Sequence, residues 1–293
     1  MAVARLDAVP APGLVLLGIV SVQVGAGLAK TLFDVLPPTA VVTLRLATSA
    51  VVLVLLARGA LRNRMGRWSR SDLTVAVAFG AVLATMNVAI YESFARIPLG
   101  IAVTIEFLGP LGVAVAFSRR RLDLVWVLLA AAGVLLLTRG DAGSLDPAGV
   151  GFALLAAAGW AAYILLSVAT GRRFPGSSGL ALASVVGTLL VLPVGVAAGG
   201  ADLLRPEYLA IGAGIGLLSS AIPYSLELEA LRRLPAKLFG ILMSLEPAVA
   251  ALVGLVILGE VLHAREWVAI GCVVTACLGA TRSPAAPPET PEA

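Results

Sequence analysis

The chain has 293 residues, 59% of them hydrophobic and only 13% charged, with a mean hydropathy of +1.01. An ordinary soluble domain carries about 25% charge, so this composition excludes one and points to many membrane spans. The net charge of +4 sits in short basic loops between apolar runs, a pattern that orients a membrane protein and does not describe a nucleic-acid face.

Ten apolar segments follow in order: 13–33, 37–57, 72–91, 97–118, 122–139, 147–170, 177–198, 208–231, 235–258 and 264–281. Most are near the length of about 20 residues that a helix needs to cross hydrocarbon. They are long continuous runs, so helices and not barrel strands satisfy the backbone in lipid. Frequent Gly and Ala, as in LLAAAGWAA, let such helices approach closely. The sequence therefore predicts an all-α polytopic membrane protein of ten transmembrane helices.

Residues 1–12 contain Arg5, Asp7, Pro10 and Pro12, and the first apolar run reads as a retained span rather than a cleaved signal. With this N-terminal tail in the cytoplasm, Arg5, the bases from Arg58 to Arg70, Arg119–Arg121, Arg172, Arg173, Arg232, Arg233, Lys237 and Arg282 fall inside. Only Arg96, Arg139, Arg205 and Arg265 fall outside. That bias predicts both termini in the cytoplasm. The last residues, 282–293, are rich in Pro and Ala and read as a disordered cytoplasmic tail.

The chain also reads as built twice. PLGIAVTIEFLGP (98–110) and PAKLFGILMSLEP (235–247) share prolines at an offset of 137, and Pro37 and Pro175 match at 138. Five helices per half turn the second half upside down relative to the first. The expectation is two inverted five-helix repeats, 13–140 and 147–281, with a site at mid-depth between them.

Four charges stand out within spans: Lys30, Arg45, Glu106 and Glu246. A charge at the bilayer centre costs about 2.5–3.5 kcal/mol on insertion scales. Two cations and two anions suit a zwitterion, with Lys30 and Arg45 meeting its carboxylate and Glu106 its ammonium. The alternatives are that these charges pair with one another to hold the bundle, and that Lys30 snorkels to the headgroups. Glu106 and Glu246 are also the candidates to carry a coupling proton. Asn87 and Tyr91, four apart, share a helix face and are placed to hydrogen-bond a substrate side chain. Gln23 lies seven before Lys30, and Tyr224 three before Glu227, completing the candidate site. Trp160 and Tyr163 share a face of the sixth segment, and Pro110, Pro223 and Pro247 kink their helices as packing features or hinges.

Motifs of catalysis are missing: no GxSxG, no Walker-type loop, no HExxH. Cys272 and Cys277 read as buried small residues, and the lone His263 as a loop residue. No enzyme, metal or cofactor is expected, and the expected partners are a small amino-acid substrate, the bilayer and protons. The oligomeric state stays open between monomer and homodimer.

Three stretches carry a resemblance to a known family: SVQVGAGLAKTLF, MNVAIYESFARIPLGIAVTIEFLGPLGVAV, and IPYSLELEALRRLPAKLFGILMSLEPAVAALVGLVILGE. They resemble the drug/metabolite transporter superfamily, its EamA-type ten-helix members, and among these the threonine/homoserine exporters of bacterial inner membranes. The resemblance implies proton-driven efflux of small neutral amino acids by alternating access. Two other readings are an exporter of drugs or other metabolites, and a lipid-handling membrane enzyme or flippase subunit.

Overall fold

A computed structural model describes residues 9–64, 68–117, 123–138 and 145–282. Of the expected tails, 1–12 and 282–293, residues 1–8 and 283–293 lie outside the described residues, as do Arg67, Arg119–Arg121 and Arg139, whereas Ala11, Pro12 and Arg282 belong to helices. Among the described residues there are helices and no strand, and nine helical stretches are long and apolar enough to cross a membrane.

The chain runs through α1 (Ala11–Thr31), α2 (Pro38–Arg64), α3 (Arg70–Phe94), α4 (Leu99–Glu106) and α5 (Leu108–Ala116), α6 (Asp123–Thr138), α7 (Pro147–Gly171) and α8 (Ser178–Gly199). It continues through α9 (Pro206–Gly216), a π-helical stretch (Leu217–Ala221), α10 (Ile222–Arg233), α11 (Ala236–Met243), α12 (Glu246–Leu258) and α13 (Ala264–Arg282). Taking α4–α5, α9–α10 and α11–α12 as single spans gives ten. The fifth is the short one: α6 has 16 residues, with an apolar stretch at Leu124–Leu137. The second runs longer than its apolar stretch, because the helix continues through Arg58 and Arg62, whose side chains are exposed at its end.

Two interruptions fall at repeat-related positions. At Phe107, ψ opens to −12°, and at Ser244 to −11°. The cause is a proline three residues on in each case. Pro110 and Pro247 have no N–H for the carbonyls of Glu106 and Met243, and their rings push those carbonyls aside. The chain compensates with tighter bonds, Leu245 N–H to Leu242 O at 3.0 Å and Ala248 N–H to Leu245 O at 3.0 Å.

Contacts between spans have the same symmetry. The third packs on the sixth, and the eighth on the first. The third also packs on the seventh, and the eighth on the second; the fourth packs on the sixth, and the ninth on the first. The pairs two and seven, four and nine, and five and ten map onto themselves when five is added. Small residues make these contacts possible. A Cβ on Gly100 would sit 2.6 Å from the Cα of Ala251, so α4 and α12 touch backbone to backbone there. Large apolar side chains such as Leu17, Leu56, Leu128 and Val256 point outwards, as a lipid-facing surface requires.

Candidate functional site

A cavity of about 470 Å³ opens between the spans, within the range of small-molecule sites, about 300–1,000 Å³. Its wall includes Arg45 and Ser49 of α2, Asn87 of α3, Phe107 and Pro110, Trp160 and Tyr163 of α7. The second half adds Ser219 and Ser220 of the π stretch, Glu227 of α10, Phe239 of α11 and Glu246 of α12. Both proline-linked interruptions therefore border the cavity.

Depth follows from helix direction. Adjacent spans alternate, so Ala11, Arg64, Arg70, Arg233 and Arg282 share one end of the bundle, and Thr31, Pro38, Leu99 and Ala264 share the other. Leu53, Leu180, Phe239 and Thr281, all lining residues, lie towards the first end, while Arg45 and Asn87 form the floor. At the far end the bundle is closed.

Lys30 takes part in that closure and does not line the cavity. Its ammonium lies 2.6 Å from Glu260 Oε1 and donates to the Ile97 carbonyl at 2.8 Å. Glu260 Oε2 accepts the Leu99 N–H at 2.8 Å. Gly259 makes this possible: its φ of 66° ends α12 in a left-handed turn that brings Glu260 back over the helix end. Lys30 thus finds a carboxylate partner in place of the headgroups that snorkelling would have given it.

Arg45 sits on the floor with its guanidinium 5.3 Å above the ring of Tyr91. No carboxylate among the described residues lies within salt-bridge distance of it, and its Nε has no hydrogen-bond partner. Tyr91 is fully buried beneath it, against Phe33 and Phe94, so it supports Arg45 from behind the wall. Asn87, one turn earlier, does reach the wall, with its amide NH2 held by the Leu83 carbonyl at 2.8 Å. The shared face expected of Asn87 and Tyr91 is there, but only its first member meets the cavity.

Glu106 is half-buried just before Phe107 and is not itself among the lining residues, though it is near enough to Arg45 and Glu246 for their charges to interact. Glu246 is buried on the wall, where Oε1 accepts the Gln23 amide at 2.9 Å and Oε2 has no partner. Gln23 therefore stands behind Glu246. The side chain of Tyr224 lies outside the described residues. Cys277 is buried on the wall as a free thiol, and among the described residues no His, Cys, Asp or Glu group could hold a metal ion.

One lining acid entered the sequence reading only as the neighbour of Tyr224, with no role of its own. Glu227 lies on the cavity wall three residues after Tyr224, whereas Glu229, two positions on, is tied to Arg232 and Arg233. Its signal was position: it lies one turn after Pro223, on the face that also carries Ser220. With Lys30 held elsewhere, the site has one cation and three acids, not two of each.

The second half of the chain, residues 147–282, matches the model of the EamA-like transporter family. A threonine/homoserine exporter of Escherichia coli strain K12, RhtA, is 40% identical over 92% of this chain and 90% of its own length. Its counterpart in Salmonella typhimurium strain SL1344 is 39% identical over 91% and 89%. This chain belongs to the EamA-like transporter family. An uncharacterised Bacillus subtilis transporter, YwfM, is 30% identical over 54% of the chain. A solved crystal structure, 17% identical, covers 90% of the chain with a TM-score of 0.59 and shares the fold. EamA-like transporters of this kind are multi-pass membrane proteins of the drug/metabolite transporter superfamily, and the ten spans fit that architecture.

Proposed function

We propose that this protein exports small neutral amino acids of the threonine and homoserine kind across a bacterial inner membrane, with protons moving the other way. The observation that carries this reading is a cavity with an unpaired guanidinium on its floor and carboxylates on its wall. It is supported by two relatives about 40% identical over their length that are named for that substrate class. Arg45 binds the carboxylate, Asn87 and Ser49 line the side-chain end, and the acids receive the ammonium. Two inverted repeats, 13–140 and 147–281, rock about the cavity to expose it to each side in turn. The cavity end that holds both chain termini faces the cytoplasm, and the latch at Lys30 closes the outside. A neutral zwitterion leaves the excess of acid uncompensated, which gives protons a place in the cycle.

Glu106, near both Arg45 and Glu246, is assigned to coupling. In inside-out vesicles driven by a pH gradient, Glu106→Gln loses concentrative threonine transport while the protein still inserts at wild-type levels. Normal rate and pH dependence in that variant would remove Glu106 from the cycle.

A second reading has a specific observation in its favour. Phe107, Trp160, Tyr163 and Phe239 line the wall together with Glu227 and Glu246, a lining suited to an apolar ammonium compound. Arg45 on the floor opposes it, because a lipophilic cation offers nothing for a guanidinium to bind.

A further inference from the structure

Two of the three acids share one side of the cavity. Glu227 projects from α10 and Glu246 from the start of α12, both on the wall, and both meet α1, Glu246 at Gln23 and Glu227 at Gly18. α1 packs closely on this side: a Cβ on Gly25 would lie only 2.5 Å from Ser219 Oγ, and one on Gly18 would meet Glu227 Cγ at an ordinary contact distance of 3.5 Å.

No described cation answers these carboxylates. Lys30, the only base of α1, is held at the closed end by Glu260. On α10 itself, Arg232 and Arg233 bind Glu229. On α11, the Lys237 side chain lies outside the described residues, and neither acid makes an ion pair. Across the cavity, Arg45 acts on Glu106, which adds a further negative charge towards Glu246.

The surrounding polar atoms are also short of partners. Glu246, 7% exposed, leaves Oε2 unpaired; Gln23, 2% exposed, leaves Oε1 unpaired; Ser219, 8% exposed and on the cavity wall, leaves Oγ unpaired. Two buried groups with unpaired oxygens, Gln23 and Ser219, beside two carboxylates, one of them with an unpaired oxygen, form a site that lacks positive charge. Buried acceptors without donors are costly, so such a cluster calls for a bound cation. Gln23 donates to one oxygen of Glu246, which fixes that carboxyl and leaves its other oxygen open to a proton or an ammonium.

We infer that Glu227 and Glu246 form one cation site that holds a single proton between them and releases it to the cavity when a substrate ammonium takes its place. The exchange rests on the amino-acid reading above; the proton does not. No bond other than O–H is made or broken: the proton leaves the carboxyl pair for cavity water, and the ammonium replaces its charge. One positive charge occupies the site at every stage, which is the requirement for antiport. The binding orientation follows, with the ammonium at α10 and α12 and the carboxylate at Arg45. Glu227 becomes a coupling residue that the motifs did not single out.

The test is infrared spectroscopy of the purified full chain in lipid nanodiscs at neutral pH, following the C=O stretch of protonated carboxyls. The wild type is expected to show this band, and Glu227→Gln to lose intensity equal to about one carboxyl. Glu227→Asp, which keeps the acid, is expected to retain it and serves as the folding control. Adding threonine to the wild type is expected to bleach the same band and release about one proton per bound molecule into weak buffer. An unchanged band in Glu227→Gln overturns the inference whatever the substrate is. A band that depends on Glu227 but ignores threonine upholds the shared proton and places the failure in the threonine reading.

Discussion

Lys30 and Glu260 are about 230 positions apart in sequence, yet they hold three chain segments together: the end of α1, the turn before α4 and the turn after α12. The pair is mostly shielded, with side-chain exposures of 20% and 14%, and each partner also bonds a main-chain group. Removing one partner leaves the other's charge and the Ile97 carbonyl or Leu99 N–H unanswered. A loss of about 1–3 kcal/mol is the usual size for such an orphaned group. Lys30→Met and Glu260→Gln should each lower the unfolding midpoint and make the far end of the cavity more accessible to thiol labelling. The reciprocal swap, Lys30→Glu with Glu260→Lys, should recover part of both, whereas equal damage from the swap and the single changes would deny the pair a latch role. Arg45 and Glu246 stood out in the sequence because a charge in an apolar run is conspicuous. Glu227 did not, because LELEALRR mixes it with charges of a helix end, and only the bonds from Glu229 to Arg232 and Arg233 separate the inward acid from the outward one. The partner of Lys30 was equally invisible, since spacing along a chain says nothing about contacts across the bundle.

At the scale of the element, the interruptions at Phe107 and Ser244 are the feature that joins sequence to site. Each places a relaxed turn beside an acid and on the cavity wall. Each proline stands in the first turn of the helix that follows the interruption, where its missing N–H costs little, so the two fix where their spans break. Pro110→Ala and Pro247→Ala should therefore slow transport with little change in the unfolding midpoint, because a straight helix has less freedom to bend about the cavity. A faster or unaltered rate in both variants would make these kinks packing features only. The prolines were legible as a spacing of 137, and so was the doubling of the fold. The π stretch at Leu217–Ala221 was not, because nothing in LLSSA distinguishes it from α-helix by composition. It is also where the halves differ: the third span, α3, runs unbroken from Arg70 to Phe94, while its counterpart bulges and carries Ser219 and Ser220 onto the cavity wall.

For the whole molecule, ten spans pack so that exchange of the halves preserves the largest contacts, yet the cavity between them is not symmetric in charge. Arg45 comes from the first half, Glu227 and Glu246 from the second, with Glu106 between. A dipolar substrate thus meets a dipolar cavity, and the balance of one base against three acids leaves room for protons to travel with the cycle. This claim is tested most directly by counterflow of labelled compounds in proteoliposomes, comparing threonine and homoserine with N-acetylthreonine, threonine methyl ester and an aromatic ammonium compound at two pH values. The account predicts exchange of threonine and homoserine, weak exchange of both blocked forms, and faster net efflux of threonine when the opposite side is acidic. Brisk exchange of the aromatic ammonium compound together with none of threonine would contradict it.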